Sequence, residues 1–145
     1  MLKLSSRTKY GLRALINLIQ NYSNKPVNIE KIAKDEGISI RYLENIFTKL
    51  RAGGILKSKK GKSGGFMLSK SPSKINLFEI IEILEKDKTL VECLKSGKSC
   101  DRIDKCIAKD FYFFISKNIE NSLKNITLED IIRRDFKKYE KGILF

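Results

Sequence analysis

Residues 32–66 read IAKDEGISIRYLENIFTKLRAGGILKSKKGKSGGF, and the reading of this stretch decides the fold. Two helices that cross tightly need a small residue at their contact, a glycine at the turn and an apolar residue to lock the angle. Ala33, Gly37 and Leu43 stand at those places, with Ile32, Ile38 and Ile46 around them. Asn28 can cap the first helix, with Ile29, Ile32 and Ala33 facing inward, and Gly37 can end it in the left-handed region. Ser39 caps the second helix. Ile40, Leu43, Ile46, Phe47 and Leu50 form its buried stripe at helical spacing. Gly53 and Gly54 stop it. Residues 55–58 then read as a strand, 59–65 as a loop and 66–69 as the returning strand. The whole is a helix-turn-helix followed by a basic hairpin, which is a wing.

Such a unit puts its second helix in a DNA major groove, N-terminal residues nearest the bases. Ser39, Arg41, Tyr42, Glu44 and Asn45 are the exposed candidates there. Arg41 can donate to guanine, Glu44 accept from cytosine and Asn45 pair with adenine. Lys49 suits a phosphate. The wing carries Lys57, Lys59, Lys60 and Lys62 within six residues, beside Gly61, Gly64 and Gly65. A small, cationic tip suits phosphates or a narrow minor groove. The rival for Gly61-Lys62-Ser63 is a nucleotide-binding loop, but that motif needs glycine where Leu56 stands. Glu92 rules out Gly97-Lys98-Ser99 in the same way.

Outward from this stretch, Ser5 or Ser6 can cap a first helix running to about Tyr22, with Tyr10, Ala14, Leu15, Leu18 and Ile19 on one face. Asn24, Lys25 and Pro26 break it. Asn76 to Glu79 has the form of a capping box leading into Leu77, Ile80, Ile81 and Leu84. A polar segment from Thr89 to Cys106 follows. A helical pattern then runs from Ile107 to Lys124, with Phe111, Phe114, Ile115, Ile119 and Leu123 as its apolar positions. Thr127 to Asp130 forms a second capping box before Ile131 and Ile132. The charged tail from Arg133 frays, with Ile143, Leu144 and Phe145 able to dock. The expected class is mainly α with a small β-hairpin wing, in three parts: a DNA-binding domain over 1–86, a cysteine-containing sensor loop over 87–106, and a long helix with a C-terminal segment over 107–145.

Charge agrees with this division. The chain has 145 residues and a net charge of +13. Residues 1–75 hold 16 Lys and Arg against 4 Asp and Glu, a balance of +12; residues 76–145 hold 14 against 13, a balance of +1. A basic half beside a near-neutral half points to a polyanion-binding module joined to something else. There is no histidine, which removes the commonest general base and a frequent metal ligand. No apolar run nears the ~20 residues of a membrane span, and no secretory leader pattern opens the chain, so a cytoplasmic protein is expected.

Three cysteines, Cys93, Cys100 and Cys106, fall within 14 residues as C-x6-C-x5-C. Thiolates are soft ligands for iron–sulfur clusters or zinc, and an odd number argues against a disulfide framework. Direct thiol chemistry without metal stays open beside the metal readings.

The opening KLSSRTKYGLRAL, the block GISIRYLENIFTKLRAGGILKSKKGKSGGFML and the ending NITLEDI, in this order, resemble the winged-helix transcription regulators that include IscR, NsrR, RirA and CymR. The resemblance implies a homodimer that binds a palindromic operator on double-stranded DNA, with residues 107–124 as the long dimerisation helix. It implies that Glu44 helps set base preference and that Lys60 is a minor-groove contact. It also implies that Cys93, Cys100 and Cys106 ligate a 2Fe–2S or 4Fe–4S cluster, making the protein a repressor that senses cluster status, nitric oxide or redox state. The first cysteine gap is one residue longer than in the best-known members. Fourth ligands used by relatives are missing: no histidine follows the third cysteine, and Lys9 stands where some carry an acid. Asp101, Asp104, Asp110 and Glu92 are the available oxygen donors. The alternatives are a cluster-free regulator controlled by thiols or a partner protein, and an iron–sulfur carrier or scaffold. No catalytic constellation emerges, and no enzyme is expected.

Overall fold

The computed structural model describes residues 3–23, 25–87, 89–95 and 100–140, without the side chain of Glu140. The expectations placed on Asn24, on Gly97-Lys98-Ser99 and on Ile143, Leu144 and Phe145 lie outside the described residues.

Helix α1 spans Ser6–Tyr22, and Ser5 is its cap, accepting from the Thr8 amide at 3.3 Å. Helix α2, Ile29–Glu36, starts at Asn28, whose Oδ1 accepts from the Glu30 amide at 2.9 Å. Gly37 ends it at φ 64, so that the Ile38 amide turns back to the Ala33 carbonyl at 3.0 Å. Helix α3, Ile40–Ala52, is capped by Ser39. Strands β1, Leu56–Lys59, and β2, Gly65–Leu68, pair antiparallel with Leu56 opposite Leu68 and Lys59 opposite Gly65. A 3-10 turn, Pro72–Lys74, leads to α4, Leu77–Leu84. Two more 3-10 turns, Glu92–Leu94 and Ile103–Lys105, precede the long α5, Ile107–Asn125. Helices α6, Leu128–Arg133, and α7, Lys137–Glu140, complete the described chain.

The mainly helical class with a hairpin wing and a long C-terminal helix is therefore observed. Leu15, Ile32, Leu43, Ile46, Phe47, Leu50, Ile80 and Leu84 are buried to 1% exposure or less. They bring the inner faces of α1 to α4 together. Two local expectations shift. Ile40, assigned to the buried stripe of α3, is 44% exposed; it is the first residue after the cap and lies ahead of the turn that meets the core. The hairpin sits one residue off the expected register. Ile55 is still in the turn after α3, its amide bonded to the Leu50 carbonyl at 2.9 Å, and Lys59 belongs to a strand rather than the loop.

The capping boxes differ from each other. At α4, Asn76 Oδ1 accepts from the Glu79 amide at 2.9 Å, but the return bond is between side chains, Asn76 Nδ2 to Glu79 Oε1 at 2.9 Å. At α6 the box is complete: Thr127 Oγ1 accepts from the Asp130 amide at 3.2 Å, and Asp130 accepts from the Thr127 amide at 2.9 Å.

Chain order hides one long-range contact. After α5 the chain returns to the core built by α1 to α4: the Leu77 amide bonds the Ile126 carbonyl at 2.9 Å, the Leu128 amide bonds the Ile75 carbonyl at 2.9 Å, and Leu128 is fully buried in the core. Asp130, 7% exposed, fastens this return. Its carboxylate takes bonds from Lys138 and from the Tyr139 hydroxyl at 2.6 Å, besides those from Thr127. Burial pushes its carboxyl upward, but these donors outweigh burial and hold it far below the usual carboxylate range. A carboxyl depressed in the folded state stabilises fully above the unfolded value, near pH 4, and loses that contribution as pH falls. Asp130→Asn should therefore cost about 1–3 kcal/mol at pH 7, and its gap to the parent should narrow by pH 3, as measured by thermal or urea unfolding at both pH values. An equal gap at both would mean that the charge contributes nothing.

Candidate nucleic-acid interface

The outward side of α3 is open. Arg41, Glu44, Asn45, Thr48 and Lys49 are all exposed. Among the described residues, none of the five is held by a side-chain hydrogen bond or an ion pair. The reading of Ser39 and Tyr42 as free contacts needs adjustment. The Ser39 hydroxyl already accepts from the Tyr42 amide at 3.3 Å, although the residue is exposed. Tyr42 is half-buried, its ring edge-on to Tyr10 with centroids 6.0 Å apart. Arg13 lies over the other ring of that pair, 5.5 Å from the Tyr10 centroid. Tyr42 thus braces α3 against α1 and presents only part of its ring outward.

The wing is fixed to the same helix. Phe66 of β2 packs edge-on against Phe47 of α3, centroids 5.1 Å apart. Its backbone pairs both ways with Val27, at 2.8 and 2.9 Å. Arg51 Nη1 donates to the Ser58 hydroxyl at 3.2 Å. Lys57, Lys59, Lys60 and Lys62 are all exposed, so a rigidly based hairpin lifts four ammonium groups beside the open face of α3. Arg7, which sequence reasoning passed over, joins this region. It lines one cleft with Ser39, Arg41, Tyr42 and Asn45, and its Nη1 donates to the Leu84 carbonyl at 3.3 Å. A basic residue in the first turn behind a serine cap was the available signal.

The cysteines lie elsewhere, between the core of α1 to α4 and α5. Cys93 is half-buried in the turn Glu92–Leu94, Cys100 is exposed, and Cys106 is half-buried where α5 begins. Three thiols are a suitable donor set for an iron–sulfur cluster, but their placement does not form a ready site. Among the described residues no three Cys, Asp or Glu side chains gather where they would hold a metal ion. Asp101 and Asp104 share a surface depression with Cys106; Glu92 and Asp110 are exposed. The segment is moored at its start by Lys95, whose ammonium lies 2.5 Å from Asp87 and, with Thr89, holds that carboxyl down at about 2.

A family model described as Rrf2, iron-dependent transcriptional regulator, matches residues 4–134. The chain belongs to the Rrf2 family. Protein rrf2 of Nitratidesulfovibrio vulgaris is 32% identical over 132 residues, covering 91% of this chain and 88% of that one. The structure of CymR, the global cysteine regulator of B. subtilis, superposes with a TM-score of 0.73 at 30% identity, covering 92% of this chain and 98% of that one. T. potens IscR gives 0.69 at 32% identity, covering 99% and 93%. As an Rrf2 protein the chain is a DNA-binding transcription regulator and not an enzyme. Among the described residues no helix is long and apolar enough to cross a membrane.

Gly65 sets where the Rrf2 wing stands. Its φ is +142, and a Cβ there would lie 2.1 Å from the Val27 carbonyl oxygen and 2.3 Å from its carbon, both backbone atoms. Gly65→Ala should destabilise the fold by about 2–4 kcal/mol, seen as a lower urea midpoint, and should also weaken DNA binding as the wing leaves Val27. An unchanged midpoint would remove this anchor from the account.

Proposed function

We propose that the protein is a cytoplasmic homodimeric repressor that reads a palindromic operator and is switched through Cys93, Cys100 and Cys106. The observation that carries the DNA part is the open face of α3 standing beside a wing with four exposed lysines. In this reading Arg41, Glu44 and Asn45 meet base edges, with Ser39 and Tyr42 at the groove's edge. Lys49, Lys59, Lys60 and Lys62 meet the sugar-phosphate backbone or the minor groove. The dimer part rests on α5. Ile107, Phe111 and Phe114 are 89%, 58% and 65% exposed and recur at helical spacing, a stripe suited to a second copy. Two recognition helices related by a two-fold axis would then read half-sites about 34 Å apart. By occupying a promoter, such a dimer would block transcription.

For the switch, the three thiols are the donors that would hold a 2Fe–2S or 4Fe–4S cluster, with Asp101, Asp104, Asp110 or Glu92 as oxygen donors nearby. A bound cluster would supply a group reactive toward oxidants and nitric oxide. Cys106 adjoins the first turn of α5, so a change in what the thiols hold acts on the start of that helix and through it on the spacing of the two DNA-binding units. The ungathered placement of the cysteines favours a second reading, in which the thiols respond directly, without metal. Purification without oxygen separates the two. Visible absorbance with bound iron and acid-labile sulfide supports the cluster. A colourless protein that takes up neither on reconstitution, yet changes operator affinity after mild oxidation, supports direct thiol sensing.

The DNA roles are separable on a palindrome selected from a random duplex pool. Lys60→Ala removes one lysine from each wing of the dimer, so it should weaken binding about equally on selected and random duplexes and flatten the salt dependence by about 1.8 in log–log slope. Glu44→Ala should leave that slope alone and relax base choice at defined positions, a change of about 1–3 kcal/mol in discrimination. Identical behaviour of the two variants would sink the division of labour. A chain that selects no palindrome would sink the operator reading itself.

A further inference from the structure

Between α4 and α5 lies a cavity of about 190 Å³. Phe78 and Ile81 of α4, Ile119 and Leu123 of α5, and Leu4 supply its apolar walls. Ser116 also lines it, and its Oγ is shielded from solvent with no hydrogen-bond partner among the described residues. The space suits one ring in size, since a dry apolar cavity of about 150 Å³ already admits benzene.

The rim selects by charge. Glu82, Glu85, Asp87 and Glu120 line it, together with Lys3. Glu85 accepts from the Ser5 amide at 2.8 Å, while Glu120 pairs with Lys117 at 3.0 Å and Lys124 at 2.5 Å. An anion meets four carboxylates against one ammonium, and a cation finds Glu85, Asp87 and Glu120 already engaged, Asp87 by Lys95 at 2.5 Å. A neutral molecule meets neither difficulty.

The place matters as much as the lining. Ile80 and Leu84 seat α4 in the core that carries α3, whereas no residue of α5 is buried. The cavity is on the α4 side of α5. The exposed Ile107 and Phe111 are not among its walls. At the edge, the Lys124 ammonium lies over the Phe78 ring, 4.8 Å from its centroid. Whatever fills the cavity therefore sets the spacing of α5 from the DNA-reading core.

We propose that this cavity is an effector site for a small, neutral, mostly apolar molecule, about the size of a substituted benzene ring, held by Phe78, Ile81, Ile119 and Leu123. Binding there changes DNA affinity, because it favours one spacing of α4 and α5 over another. The regulatory half of the proposal rests on the DNA-binding role stated above; the binding half does not.

The test uses the full chain, p-cresol and toluene as probes and benzoate as control. Methyl resonances of Leu4, Ile81, Ile119 and Leu123 should shift saturably with p-cresol and toluene and not with benzoate. Leu123→Phe and Ile119→Phe, each checked by thermal melting, should fill the space and abolish both; should one fail to fold, the other carries the test. Saturating p-cresol should change affinity for the selected palindrome at least threefold in the parent and not in the filled variant. Shifts that never saturate, or a cavity closed to both probes because the chain's own N-terminus or a second copy fills it, would overturn the site. Saturable binding with unchanged DNA affinity would overturn its effector role. If no palindrome is selected, the methyl titration still decides the site independently.

Discussion

The crossing of α2 and α3 is the constraint from which the rest of the molecule takes its position. Ala33 is 3% exposed and brings only a methyl group to the contact. Gly37, at φ 64, carries the chain round in a single left-handed step, a conformation that costs an ordinary L-residue about 1–2 kcal/mol. With the angle set, Leu43, Ile46, Phe47 and Leu50 all fall into the core, and Arg41, Glu44, Asn45 and Lys49 must face away from it. The wing inherits its place from the same crossing. Phe47 reaches the core side of Phe66, and Phe66 is bonded by its backbone to Val27 just ahead of α2. Recognition helix and wing are therefore one rigid body, built on two elements that meet at a methyl group and a glycine.

What could be read from residues alone follows the range of the interaction. Caps act over three residues, so Asn28, Ser39, Asn76 and Thr127 declared their helices without help from the fold. The turn at Gly37 and the stop at Gly53 and Gly54 are equally local. Ile40 misled because periodicity counts it in the stripe while the core begins one turn later. The strand register slipped because Ile55 belongs to the helix end through its bond to Leu50, a contact that no pattern of strand residues marks. Tyr42 and Tyr10 lie far apart in the chain, and so do Leu128 and Ile75; no spacing rule joins them. The family model and the solved relatives supplied the missing long-range frame for the DNA-binding class, but not the chemistry of the cysteines.

The apolar pattern of α5 divides in a way that helical spacing alone does not indicate. Ile119 and Leu123 turn toward α4, while Ile107, Phe111 and Phe114 stand in solvent. The two ends of the helix are held very differently. Its last turn leads into Ile126, which accepts from the Leu77 amide, and then into fully buried Leu128. Its first turn follows Cys106 and has no side-chain cap. A helix fastened at one end and loosely started at the other acts as a lever. The cysteines adjoin its free end, and the DNA-reading core holds its fixed end.

The energies make such a lever workable. Burying one exposed Phe side chain is worth about 1.5–3 kcal/mol, and α5 presents Phe111, Phe113 and Phe114 at more than half exposure. In the proposed homodimer, covering these rings would exceed the typical coupling between a sensor and a DNA site, about 1–3 kcal/mol. The partner copy would then keep the dimer assembled whatever the cysteines carry. In that reading the proposed cysteine switch need not assemble or dismantle the dimer. It needs only to choose between two settings of the first turn of α5, where the local structure is held by few bonds and a small free energy moves the equilibrium. Regulation by tilt, rather than by dissociation, is what this distribution of burial favours.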